Sequence, residues 1–161
     1  MSAPEARGAG WTEERGTSDE GSARLKRVEA AREAQSAPGE GLSVTHRRYV
    51  SYADAHYGGN LVDGAYVLGL FGDVATEVSI RRDGDEGLFA AYSDVQFRAP
   101  VRAGDVVEVT ATLTREGRRS RLMSFEARVV CRSRPDRGES AAEVLADPIV
   151  AVTAVGTIVV P

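Results

Sequence analysis

Apolar residues recur along this chain at two different spacings. Over residues 63–82, Val67, Leu70, Phe71, Val74 and Val78 fall three or four positions apart, the stripe of one long amphipathic helix. Over 42–51, 88–98, 106–115, 121–132 and 148–160, β-branched and aromatic residues predominate, and 106–115 and 121–132 alternate clearly, so five strands are predicted. Ala103-Gly-Asp105 and Glu116-Gly-Arg118 read as hairpin turns, and the Gly/Asp cluster at 83–87 stops the helix. Between the last two strands, Ser140-Ala-Ala-Glu143 reads as a capping box opening a short helix. A strand, a long helix and four further strands are satisfied by an antiparallel sheet of about five strands laid over one central helix, an α+β layout. Gly64, Gly69 and Gly72 lie in or beside that helix, where each glycine costs about 1 kcal/mol relative to alanine. They predict a helix face pressed against other backbone.

The pattern fades over residues 1–41, which hold eight acidic and six basic residues and few large apolar ones. A charged helix over 21–35 would have only Leu25 and Val28 as large anchors, too little to bury a stable face. A disordered N-terminal extension is therefore expected ahead of a single domain at 42–161. The net charge of -4 supplies no basic surface for nucleic acid or an anionic membrane. No apolar run reaches the length of a membrane span and no secretory apolar core is present, which makes a cytoplasmic protein the expectation. Two histidines and the lone Cys131, far apart, offer no metal-ligand spacing, and no metal is expected.

Chemistry concentrates in Asp54-Ala-His-Tyr-Gly-Gly-Asn-Leu-Val-Asp-Gly-Ala65, immediately before the helix. Groups that move protons stand there beside backbone that a ligand can approach closely, the ingredients of an active site.

Phe97-Arg-Ala-Pro-Val-Arg-Ala-Gly-Asp105, followed by Glu116-Gly-Arg-Arg-Ser120, resembles the strand–turn–strand stretch of hot-dog acyl-CoA enzymes, whose curved sheet wraps a central helix. The polar loop, together with Leu70-Phe-Gly-Asp-Val-Ala-Thr-Glu77 and Asp83-Gly-Asp-Glu-Gly-Leu-Phe89, resembles the 3-aminoacyl-CoA ammonia lyases, the 3-aminobutyryl-CoA and β-alanyl-CoA enzymes. The resemblance spans roughly residues 45–160. It implies elimination of ammonia from a 3-aminoacyl-CoA to give a 2-enoyl-CoA, or the reverse addition. Coenzyme A then arrives as part of the substrate, with no separate cofactor. It also implies a homodimer sharing its site, or a trimer of dimers.

Removing the proton next to a thioester carbonyl needs a base, and donors aimed at the oxygen where enolate charge develops. Asp63 and Gly64 open the helix, so the N–H groups near Gly64 and Ala65 are the candidate oxyanion donors. The competing reading is that Gly64 only relieves packing against the sheet. For the base, Asp63 and Glu77 rank ahead of Asp54; a helix carboxylate such as Glu77 or Asp73, partly desolvated, would have its pKa raised. His56 is a candidate proton shuttle, and Tyr57 and Asn60 are candidates to hold the departing nitrogen. His46, followed by Arg47 and Arg48, reads as a surface residue. Ser120, Arg121 and Arg98 are the candidate coenzyme A contacts, since arginine suits phosphate. Two other readings keep the fold: an acyl-CoA thioesterase using Asn60 or a helix carboxylate to direct water, and a non-catalytic acyl-CoA binding protein.

Overall fold

The computed structural model describes residues 21–24, 26–27 and 41–161. The chain divides into two units, Met1–Ala34 and Gln35–Pro161. Residues 21–24 and 26–27 are helical, and the rest of the expected N-terminal extension lies outside the described residues.

The second unit runs β1 (Ser43–Tyr49), α1 (Gly64–Asp83), β2 (Leu88–Phe97), β3 (Val106–Glu116), β4 (Ser120–Ser133) and β5 (Ala142–Val159). The five strands form one sheet in the order β1-β3-β4-β5-β2, antiparallel at every junction. The strands flanking the helix in sequence, β1 and β2, are thus the two edges of the sheet. The helix and its connections carry the chain from one edge to the other. This is the hot-dog arrangement expected from the sequence.

Alternation along β3 and β4 turns Val107, Val109, Ala111 and Leu113, and Met123, Phe125, Ala127 and Val129, into the core. They share it with the helix stripe of Val67, Leu70, Phe71, Val74 and Val78. Fully burying one such side chain contributes about 1.5–3 kcal/mol, so the two periodicities together fix which helix face meets the sheet. The helix begins where Asp63 Oδ1 accepts a hydrogen bond from Tyr66 N at 2.8 Å, and ends where Gly84 adopts a left-handed φ of 69°. Both are capping solutions for backbone groups that the helix leaves unpaired. Tyr92 of β2 ties the edge strand to the helix by donating its hydroxyl hydrogen to Leu68 O at 2.9 Å, and burial pushes its phenol up to about 12. Among the described residues no helix is long and apolar enough to cross a membrane.

Two local expectations are corrected. Ser140–Glu143 opens no helix: Ala142 and Glu143 already pair with Ser133 and Arg132 in the β4–β5 ladder. Glu143 accepts from Arg134 and Arg137 instead of turning back to cap a helix, so β5 starts six residues earlier than predicted. The helix glycines also divide. A Cβ at Gly69 or Gly72 would meet nothing within 4 Å, whereas one at Gly64 would stand 2.8 Å from two ring carbons of Phe97. Close approach is therefore confined to the first residue of the helix, and the neighbour is a side chain of β2.

Candidate active site

The polar loop is held by its backbone and presents its side chains. Ser51 Oγ caps a short 3-10 turn at Tyr52–Asp54 by accepting from Ala53 N. A second turn, Gly58–Asn60, relies on left-handed φ values of 73° at Gly59 and 59° at Asn60, a region that glycine and asparagine tolerate best. His56 N and Tyr57 N both donate to Leu61 O, Ala103 N donates to Asn60 O, and Val62 N donates to Val101 O. The loop is thereby stitched to the turn between β2 and β3. The side chains of Asp54, His56, Tyr57 and Asn60 are left exposed and make no hydrogen bond among the described residues; His56 and Tyr57 meet edge to face at 4.7 Å.

That turn is itself anchored by a pair the sequence reading did not single out. Asp105 is fully buried; its Oδ2 accepts from Arg102 N at 3.0 Å and from Arg132 Nη2 at 2.9 Å, and Arg132 also donates to Pro100 O. A buried carboxylate is tolerable only when its lone pairs are matched in this way. The Gly104-Asp105 turn signal was legible, but the hairpin expected there is corrected: β2 pairs with β5 and β3 with β1 and β4, so the turn carries the chain between strands that are not neighbours, and the partner of Asp105, 27 residues away, was not legible.

A cleft of about 410 Å³ opens between this turn, the polar loop and the helix start. Tyr57, Asp63, Gly64, Val67 and Phe97 line it, and Arg98 stands among its walls. Of the candidate bases, Asp63 is the one that lines this cleft. Its Oδ1 is engaged by the cap, and its Oδ2 has no partner among the described residues. Capping satisfies Tyr66 N, which leaves the N–H groups of Gly64 and Ala65 at the positive end of the helix dipole. One residue on, the hydroxyl of Tyr66 is buried with no hydrogen-bond partner among the described residues. Burial, and then the nearby Asp54 carboxylate, push its phenol up, while Arg48 pulls in the other direction without reaching hydrogen-bond geometry.

Glu77 lies elsewhere. It is thirteen residues beyond Gly64, about 20 Å along the helix at 1.5 Å per residue, so one chain does not bring the two together. Both carboxylate oxygens are engaged, Oε2 by His46 Nε2 at 2.5 Å and Oε1 by Arg81 Nη2 at 2.6 Å. Hydrogen bonds from His46 first and Arg81 second hold its pKa below the ordinary value, the reverse of the expected elevation. His46, expected at the surface, is half-buried and supplies this contact because it sits on the helix-facing side of β1, as Val44 does. Asp73 is exposed on the helix and borders a smaller cleft with His46 and Arg48.

The coenzyme A candidates also separate. Arg121 is only 8% exposed and is engaged within the fold. It donates to both carboxylate oxygens of Asp83, at 2.9 and 2.5 Å, and to the carbonyls of Gly117 and Ser120. It pins the β3–β4 hairpin, where Ser120 starts β4, to the far end of the helix; a phosphate contact from this side chain would have to break that pairing. Arg98 is exposed at the cleft, with Nε 3.3 Å from Thr153 Oγ1.

A helix laid over a five-stranded antiparallel sheet, with a polar loop and cleft at the helix start, defines the class of hot-dog proteins. The family model described as the thioesterase superfamily matches residues 59–135. Within that class the chain belongs to the 3-aminoacyl-CoA ammonia lyase family. It is 59% identical to the 3-aminobutyryl-CoA ammonia lyase of Acetoanaerobium sticklandii over 112 residues, which cover 70% of this chain and 89% of that relative. The solved β-alanyl-CoA:ammonia lyase of Clostridium propionicum aligns with a TM-score of 0.72 at 36% identity, covering 75% of this chain and 86% of that one. A hexameric thioesterase of Yersinia pestis, at 19% identity and a TM-score of 0.60 over 78% of this chain and 91% of its own, shares the fold.

Proposed function

We propose that the protein is a carbon–nitrogen lyase that eliminates ammonia from a short 3-aminoacyl-CoA, or adds it to the 2-enoyl-CoA, in the cleft at the start of α1. The observation that carries this reading is that Asp63 and Gly64, the cap and the first residue of the helix, line one cleft, with the N–H of Ala65 next along the same helix start. Oδ2 of Asp63 takes the proton next to the thioester carbonyl. The N–H groups of Gly64 and Ala65 receive the carbonyl oxygen as negative charge builds on it. The electron pair left on the α-carbon becomes the new double bond as the C–N bond breaks, and the ammonium group of the substrate leaves as neutral ammonia. Tyr57 and Asn60 hold the departing nitrogen, and His56 relays protons to solvent. Coenzyme A enters with the substrate, its phosphates reaching Arg98. The membership of the chain among the ammonia lyases supports this chemistry over hydrolysis.

We place the working site between two copies of the chain. β2 is an edge strand with its end residues Leu88 and Phe97 exposed, and unpaired edges favour pairing with a second chain. Two helices running side by side in opposite directions would offset the 20 Å that separates Glu77 from Gly64 in one chain, and would leave Glu77 as an alternative base contributed from across the interface. Sedimentation at micromolar concentration tests the dimer and any trimer of dimers.

Incubation with crotonyl-CoA and ammonia tests the reaction. Loss of the conjugated enoyl absorbance without release of thiol is the expected result. Thiol release would mean a thioesterase, and tight coenzyme A binding with neither change would mean a binding protein.

A further inference from the structure

We propose that Phe97 sets the acyl-chain length that the cleft accepts, and so makes the protein selective for short 3-aminoacyl thioesters. Phe97 closes β2, opposite Val152 of β5. Its ring lies over the first residue of the helix: a Cβ on Gly64 would stand 2.8 Å from Phe97 Cε1 and Cζ and 3.6 Å from Cδ1. The same ring lines the cleft with Val67 and Val152, and it is 58% exposed. A carbonyl oxygen held by the N–H groups of Gly64 and Ala65 therefore has the ring as its immediate neighbour. The acyl carbons beyond it must run along the valines toward the ring. A chain of three or four carbons, a length that small pockets discriminate by apolar fit, stops there; a longer one has to displace the aromatic side chain. Val67, Val101 and Val152 make the wall beside the ring apolar, and Asp63 and Arg98 are the charged residues that line the same cleft.

The inference rests on the cleft being the acyl site of the proposed lyase, and two readouts keep the two ideas apart. The first is the affinity of the full-length protein for butyryl-, hexanoyl- and octanoyl-CoA, measured by calorimetry, which needs no turnover. The second is ammonia addition to crotonyl-CoA and trans-2-octenoyl-CoA. Truncation of a pocket wall by several methylene equivalents changes discrimination by roughly tenfold or more. Phe97→Ala is expected to raise the octanoyl-to-butyryl affinity ratio, and the octenoyl-to-crotonyl kcat/KM ratio, by at least about tenfold, with Phe97→Leu between it and the natural protein. Circular dichroism reports folding, and the milder Leu variant keeps the test decisive if the Ala variant is lost. An unchanged ratio, or an equal fall for all chain lengths, overturns the proposal. If the natural protein adds no ammonia to crotonyl-CoA while the affinity ratio still shifts in the variants, the lyase reading falls and the chain-length role of Phe97 stands.

Discussion

Gly64→Ala separates the two roles available to the first helical residue. The backbone tolerates alanine there, since Gly64 is not among the residues with positive φ, and replacing glycine at a compatible position gains about 0.4–1 kcal/mol. Against this, the new Cβ would stand 2.8 Å from Phe97, where ordinary contact begins at 3.4 Å, so the ring must retreat by about 0.6 Å. The ring is 58% exposed in the single chain, which puts the overpacking cost there near the low end of its usual range, about 1 kcal/mol. The two effects nearly cancel, and the melting temperature should move by no more than about 4 °C. Catalysis should not cancel. A methyl group beside the two helix N–H donors bars the thioester oxygen, and losing an oxyanion donor costs about 100- to 1000-fold in kcat. The assay is ammonia addition to crotonyl-CoA by Gly64→Ala, by Phe97→Ala and by the double variant. Activity in the double variant should stay down, because removing the ring does not restore access to the donors. Recovery of the double variant to the level of Phe97→Ala alone would refute the oxyanion role, leaving Gly64 as a place for the ring to rest.

Three further outcomes follow from the geometry. Asp63→Asn keeps an oxygen able to cap Tyr66 N and should melt close to the natural protein yet lose turnover; Asp63→Ala should lose turnover and also about 1 kcal/mol of stability, read by chemical denaturation. Full turnover in Asp63→Asn would move the base to another carboxylate. Arg121→Met strands Asp83, whose side chain is largely buried, and should destabilise by about 3–5 kcal/mol, a drop in melting temperature on the order of 10 °C, with little effect on the KM for crotonyl-CoA in the fraction that remains folded. A raised KM at unchanged stability would return Arg121 to phosphate binding. For Glu77, hydrogen bonds hold the folded carboxyl below its ordinary 4.5, so its contribution is complete above about pH 4.5 and disappears as the pH falls through the lower folded value. The gap in melting temperature between the natural protein and Glu77→Gln should therefore be widest near neutrality and close in acid; a gap that does not vary with pH would contradict the pairing with His46.

Local periodicity carries five strands, the long helix, their order, and the class of fold that follows. The hydrophobic stripe of α1 and the alternation in β3 and β4 report burial directly, because each element turns one face to the core. Helix boundaries were legible for the same reason, as Asp63 and Gly84 supply caps. The polar loop was legible as a cluster, and its assignment to an ammonia lyase came through resemblance. Pairings between distant residues come from how the sheet and helix fold back on one another. Arg121 reads as a free cation in a turn, and the fold sets it against Asp83, 38 residues earlier. His46 reads as exposed until the pleat of β1 turns it toward Glu77, 31 residues on. Gly64 reads as room for a thioester oxygen or for the sheet, and β2 shows that the neighbour over it is the ring of Phe97. Ser140–Glu143 carries a helix-start pattern that the neighbouring strand β4 overrides, since ladder hydrogen bonds and the arginine pairs on Glu143 outweigh a cap worth about 1 kcal/mol. A chain position encodes its own propensity, whereas the charge or ring that will face it depends on how the sheet folds back, and that is where the chemistry of this cleft was settled.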